Sequence, residues 1–182
     1  MFLEALIIGI IIGYILKGKL KNLENVKLKY PYLAVGAFAV EFILFSLVRK
    51  GMLSRGYLTT SIYIIEYALI FLFIYFNREN KYILIMGLGF LLNALAIFSN
   101  GGAMPVSAKA AVTAGLAPSI GSVKASAEGL YVVQNEATRL WLLGDIIPKT
   151  YLRHYVISIG DIVAAIGLLI FLVQGMRSKM IN

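Results

Sequence analysis

The chain reads as an all-α integral membrane protein: a bundle of about five transmembrane helices with one long outward loop, forming a single membrane domain over residues 1–182. Three observations predict this. Hydrophobic residues make up 60% of the chain and charged ones only 14%, where a soluble domain carries about 45–50% and about 25%. The apolar residues gather in runs that approach the ~20 needed to cross a bilayer. The mean hydropathy is +0.84. No run shows the polar–apolar alternation over roughly ten residues that marks a membrane β-barrel.

The first span covers residues 2–16. It is short, but Lys17 and Lys19 can reach the headgroups on their long stems. Gly9 and Gly13 stand four apart, a spacing that lets two helix backbones approach closely. Glu4 occupies the place of a signal peptide's basic residues and no Ala-x-Ala site follows, so the segment is expected to stay as a helix. The second span, 31–48, opens on Pro31, which suits a first helical turn. The third, 58–76, is joined to the fourth, 81–99, by the turn Asn77-Arg78-Glu79-Asn80, short enough to force an antiparallel hairpin.

Residues 100–154 form the long loop and 155–174 the fifth span. Within the loop, Lys109 to Leu116 and Lys124 to Leu143 are Ala-rich and are expected to lie as short interfacial helices. On the second of these, Leu130, Val133, Ala137, Leu140 and Trp141 fall toward one side, with Glu128, Asn135 and Arg139 toward another. Trp141 suits the headgroup level.

The net charge of +8 does not indicate nucleic acid. The basic residues sit between the apolar runs, where anionic headgroups lie, so the partner is the lipid bilayer. Nine Lys and Arg fall on the side of the 17–30 loop, the 77–81 turn and the C-terminal tail, against three in residues 49–57. That bias predicts a multi-pass protein of the cell membrane with its N-terminus and long loop outside and its C-terminus in the cytoplasm. The chain has no Cys and one His, His154. Disulfides, thiolate chemistry and a zinc set are therefore excluded, and no metal or other cofactor is expected. Neither a phosphate-cradling Gly loop nor a Gly-x-Ser-x-Gly elbow is present.

Chemistry points to the only two aspartates, Asp145 and Asp161. A carboxylate among apolar residues in lipid costs roughly 2.5–3.5 kcal/mol on insertion scales, so its presence suggests a function. Two neighbouring carboxyls cannot both ionise easily. One can then activate water while the protonated one hydrogen-bonds a scissile carbonyl, as in aspartyl hydrolases. Asp145 precedes the last span and Asp161 lies six residues into it, so both can meet just below the outer headgroups.

Around them, Asn135-Glu-Ala-Thr-Arg139-Leu140, Gly144-Asp145-Ile-Ile and Ile157-Ser-Ile-Gly-Asp161 followed by Gly167 resemble, over some forty C-terminal residues, the elements of signal peptidase II, the lipoprotein signal peptidase. Thr138 stands where that family has an acid and Ser158 where it has Asn. The resemblance implies an aspartate dyad of Asp145 and Asp161, with Asn100, Asn135 and Arg139 positioning a lipid-linked or membrane-embedded peptide. The chain as a whole resembles an uncharacterised bacterial membrane-protein family with an Asn-Gly-Gly-x-Met-Pro-Val signature after its fourth helix. That resemblance implies a multi-helix membrane protein and no activity.

Asn93 and Asn100 are seven apart and share a helix face, and Gly101, Gly102 and Pro105 then end the helix. The backbone groups this frees are tolerated at membrane depth only against protein or a water-filled cavity, so Asn93, Asn100, Gly101, Gly102 and Met104 form a candidate substrate cradle. An ordinary helix cap and turn accounts for the same pattern. The alternative to hydrolysis is a non-catalytic membrane subunit or a small proton, ion or solute transporter, with Glu41, Glu66 and Asp161 along one polar path.

Overall fold

The computed structural model describes residues 1–54, 56–126 and 130–177. In chain order, α1 (Phe2–Ile15), α2 (Pro31–Arg49), α3 (Tyr57–Phe76) and α4 (Lys81–Ser99) lead into the loop elements β1 (Met104–Val106), α5 (Ala108–Thr113), α6 (Ile120–Ser126), β2 (Tyr131–Val133), β3 (Ile147–Lys149) and β4 (Tyr155–Ile157), before the last helix α7 (Ile159–Arg177). The helices α2, α3, α4 and α7 are long and apolar enough to cross a membrane, and α1 is a shorter apolar helix. Many of their large apolar side chains face outward: Val35 is 68% exposed and Phe42 77%. In a water-soluble protein those faces would be a liability; against lipid they are the expected surface.

Local chemistry sets the helix ends. Pro31 opens α2 at its first turn. Asn80 caps α4, its Oδ1 accepting from the backbone N–H of Tyr82 (3.0 Å) and of Ile83 (3.4 Å). Asn77, buried at the end of α3, pairs with the backbone of Lys29 in both directions at 2.8 Å, tying the first connection to the α3–α4 turn.

The last helix starts later than the apolar run alone indicates. Residues 155–157 pair antiparallel with β3, and the helix begins at Ile159. Ser158 and Asp161 form a capping box: the backbone N–H of Asp161 donates to Ser158 Oγ (2.9 Å) and that of Ser158 to Asp161 Oδ2 (3.1 Å). Asp161 therefore stands in the first helical turn rather than deep in a continuing helix.

Helices α4 and α7 pack at backbone distance. A Cβ at Gly89 would meet Ala164 N and Gly160 O, and one at Gly160 would meet the side chain of Asn93. Small residues are what allow two membrane helices to come this near. The same logic seats α1 on α7, where Gly9 faces Leu172 and Gly13 faces Met176.

The loop folds into the end of the bundle instead of lying across it. Because α7 begins opposite Asn93, the last turns of α4 are packed by strands and turns instead of helix. β1 pairs parallel with β2, and Asp145 joins β1 from the other side, its N–H donating to Pro105 O (2.8 Å) and its C=O accepting from Ser107 N–H (2.8 Å). These bonds satisfy backbone groups that lipid could not. Leu130 and Met104 drop into a core with Leu44, Tyr63, Ala96 and Ile97.

The expected interfacial helix over 124–143 is thus corrected, leaving aside residues 127–129, which lie outside the described residues. Tyr131-Val-Val, aromatic and β-branched, zips onto Met104–Val106 as a strand. Leu130 is buried on the core side, while Trp141, in a short 3-10 turn, is 53% exposed. The earlier helix does form, as α5, and His154 Nδ1–H donates to Ala114 O (2.8 Å) to hold its end.

A polar latch fastens α1 to the β3–β4 hairpin. Lys149, only 2% exposed, pairs with Glu4 and bonds Tyr155 Oη at 3.2 Å. Lys149→Met removes the nearer of the two cations that Glu4 meets and leaves the N-terminal ammonium at 3.9 Å, so a half-buried carboxylate loses its hydrogen-bonded partner, which is destabilising. A lower thermal midpoint in detergent is expected, restored in part by Glu4→Gln in the same chain.

Candidate functional site: an acid-lined chamber

Where the loop meets the helices, a cavity of about 110 Å³ is lined by all four of Glu41, Glu66, Asp145 and Asp161. Glu41 comes from α2, Glu66 from α3, and Asp161 from the first turn of α7. Asp145 comes from the strand-like segment beside β1. Tyr63 and Tyr67 flank Glu66 on one face of α3, at the i−3 and i+1 positions, and Tyr131 and Met104 close the loop side. Among the described residues no Lys, Arg or His lines it.

The acids differ in how they are held. Asp161 is fixed on both oxygens: Asn93 Nδ2 donates to Oδ1 (2.9 Å) and Ser158 N–H to Oδ2 (3.1 Å). Asn93 is itself set by Ser158, whose Oγ donates to Asn93 Oδ1 (2.8 Å). Asp145 is 8% exposed, and no hydrogen bond reaches its carboxyl from the described residues. Burial pushes its pKa well above the ordinary carboxylate range, and the nearby Asp161 charge adds to the shift. Glu66 is 4% exposed, and its Oε2 has no hydrogen-bond partner among the described residues.

The raised Asp145 has a consequence for stability. The folded state holds this proton more tightly than the unfolded chain does. Its stabilising effect is therefore complete below the ordinary carboxylate range, declines as the pH climbs through the window up to the raised value, and is gone above it. Thermal midpoints of wild type and Asp145→Asn, followed over pH 4–9 or so, are expected to diverge as pH rises, with the variant the more stable at the alkaline end.

The residues singled out from sequence divide into two groups. Asp145, Asp161, Asn93 and Met104 line the chamber together with Glu41 and Glu66. Asn100 instead clamps the loop: its Nδ2 donates to Arg139 O (2.8 Å) and its Oδ1 accepts from Arg139 N–H (3.0 Å). Gly101 and Gly102 supply the left-handed turn after α4, with φ of 70° and 78°. Asn135 is exposed and caps its own turn through Ala137 N–H (2.9 Å), and the Arg139 side chain is exposed as well. The tyrosines and Ser158 are the additions. A Ser-x-x-Asp spacing and a Tyr-x-x-Glu-Tyr face carried that information in the sequence.

Directly beyond the chamber lies a second cavity of about 380 Å³ whose lining is entirely apolar. Phe38, Ile70 and Phe90 lie in its wall, three or four residues from Glu41, Glu66 and Asn93 on the same helices. Phe38 and Phe90 meet edge-on at 6.5 Å, and Phe2 stacks on Phe90 at 5.9 Å.

Apolar helices of spanning length around a set of carboxyls are consistent with a multi-pass membrane protein. The chain belongs to a family of unknown function (DUF5317), whose model matches residues 25–173. It is also similar to an uncharacterized protein of Thermotoga maritima, 32% identical over 175 residues, which covers 94% of this chain and 88% of the relative. No solved structure matches.

Proposed function

We propose that the chamber is the active site of a membrane-embedded aspartyl hydrolase acting on a lipid-linked or membrane peptide. The observation that carries the reading is that Asp145 and Asp161, from separate elements, line one cavity in unequal surroundings. Asp145, kept protonated by burial, donates to the scissile carbonyl. Asp161, oriented by Asn93 and Ser158, takes a proton from the attacking water. The water oxygen bonds the carbonyl carbon, and the Asp145 proton passes to the carbonyl oxygen. As the C–N bond breaks, the proton on Asp161 goes to the leaving nitrogen and Asp145 recovers its own from the gem-diol.

The adjoining apolar cavity supports a membrane-borne substrate, since a hydrocarbon chain there would place a polar linkage one helical turn away, in the chamber. With the long loop outside, as the charge distribution indicates, cleavage occurs at the outer side of the membrane.

The test is direct. The protein in lipid nanodiscs is incubated with a panel of single-span and lipid-modified peptides, and new termini are read by mass spectrometry. Cleavage that scales with protein and disappears in Asp145→Asn supports the assignment, and a panel left intact by folded protein overturns it.

A second reading, a proton or cation transporter, is favoured by the shared placement of Glu41, Glu66 and Asp161 around one cavity. Against a continuous path, the next layer along the helices is the Phe2, Phe38 and Phe90 cluster, which carries no polar group. Acid-driven proton uptake into sealed vesicles distinguishes this reading.

A further inference from the structure

We propose that the Glu41 and Glu66 side of the chamber is a subsite for a primary ammonium group carried by the substrate. The inference rests on the chamber being a binding site, as argued above, and adds the chemistry of what it receives.

The two aspartates have defined surroundings, but the glutamates do not. Glu66 is 4% exposed, lines the chamber, and has no donor to Oε2 among the described residues. An unmet buried acceptor is destabilising, more so when charged. Glu41 shares the cavity, and among the described residues no basic side chain lines it. The missing complement is therefore a donor that also brings positive charge.

A primary ammonium offers three donors and a compact charge. Tyr63 and Tyr67, both buried beside Glu66, add aromatic faces that attract such a cation. At about 110 Å³ the space equals that of three or four waters, at ~30 Å³ each. That admits an aminomethyl group together with a water. A divalent metal ion is the poorer fit, because among the described residues no three acids are close enough to hold one. A quaternary ammonium is bulkier and has no N–H to give Glu66.

The experiment uses ethylammonium chloride as the probe on protein in nanodiscs, followed by calorimetry and by thermal midpoint. Ethanol, sodium chloride and tetramethylammonium chloride at equal ionic strength are the comparators. Saturable binding of ethylammonium alone is expected, weakened at least tenfold in Glu66→Gln and in Glu41→Gln. Binding that is absent, matched by sodium or tetramethylammonium, or unchanged in both glutamine variants overturns the proposal. Should Glu66→Gln fail to fold, Glu41→Gln and the loss of wild-type binding on acidification decide it. Ethylammonium binding without peptide cleavage would sink the hydrolase reading and leave this subsite standing. Cleavage without amine binding, and without preference for peptides bearing an amine, would do the reverse.

Discussion

Asp145→Asn is expected to reduce peptide cleavage by about 10²–10⁴-fold while leaving the protein folded. The magnitude is that of losing one positioned proton donor or acceptor. The structural tolerance follows from the environment. No hydrogen bond to the Asp145 carboxyl comes from the described residues, and its attachment to β1 runs through its backbone. An amide of the same shape leaves those strand bonds untouched. Asp161→Asn should abolish cleavage to a similar degree but also lower the thermal midpoint. An amide oxygen there can still accept from Ser158 N–H, but its NH2 then faces the NH2 of Asn93, two donors where one bond stood. The pair of variants thus separates chemistry from structure. Equal loss of stability in both, or full turnover in either, would show that the aspartates serve the fold alone. Turnover rates and thermal midpoints measured on the same nanodisc preparations settle the matter.

The second large effect is structural. Gly160→Val is expected to destabilise the protein by about 3 kcal/mol or more, at the top of the usual range for an overfilled core. The added carbons point into Asn93 and toward Gly89 O. Backbone cannot rotate out of the way as a side chain can, so α4 and α7 have to part. Moving Asn93 also removes a donor from Asp161, so activity should fall further than stability alone explains. Gly87→Ala is the useful contrast. Its Cβ would meet only the Ile74 side chain, from 3.0 Å outward, and a shift of that rotamer relieves it. Denaturation in mixed micelles, with cleavage read in parallel, compares the two. A Gly160→Val protein as stable as Gly87→Ala would mean the helices are not held at backbone distance.

What could be read from the sequence follows the range of the interactions involved. The apolar helices were legible because lipid imposes one requirement on every residue of a span, and composition reports it directly. Asp145 and Asp161 stand out in the sequence for the same reason, as acids in apolar surroundings, and both line the chamber. The start of α7 was misplaced because hydropathy is blind to hydrogen bonds. Tyr155-Val-Ile is as apolar as a helix, and only the Ser158–Asp161 cap fixes where the turn begins. The loop was harder. Its Ala-rich stretch favours helix locally, yet residues 131–133 become a strand through a partner at 104–106, some 27 positions earlier. The roles of Asn100 and Arg139 were hidden likewise. A side chain that looks poised for a ligand turned out to hold the loop's own backbone.

The chamber draws its walls from α2, α3, α4, the strand region around Asp145 and the first turn of α7. During synthesis these arrive one after another, and the first turn of α7 arrives after all the other walls. Until α7 inserts, Gly89 and Asn93 look onto lipid, and Glu41 and Glu66 lack the walls that enclose them. A chain lacking α7 would therefore display these carboxyls to the bilayer, where an unshielded acid is costly.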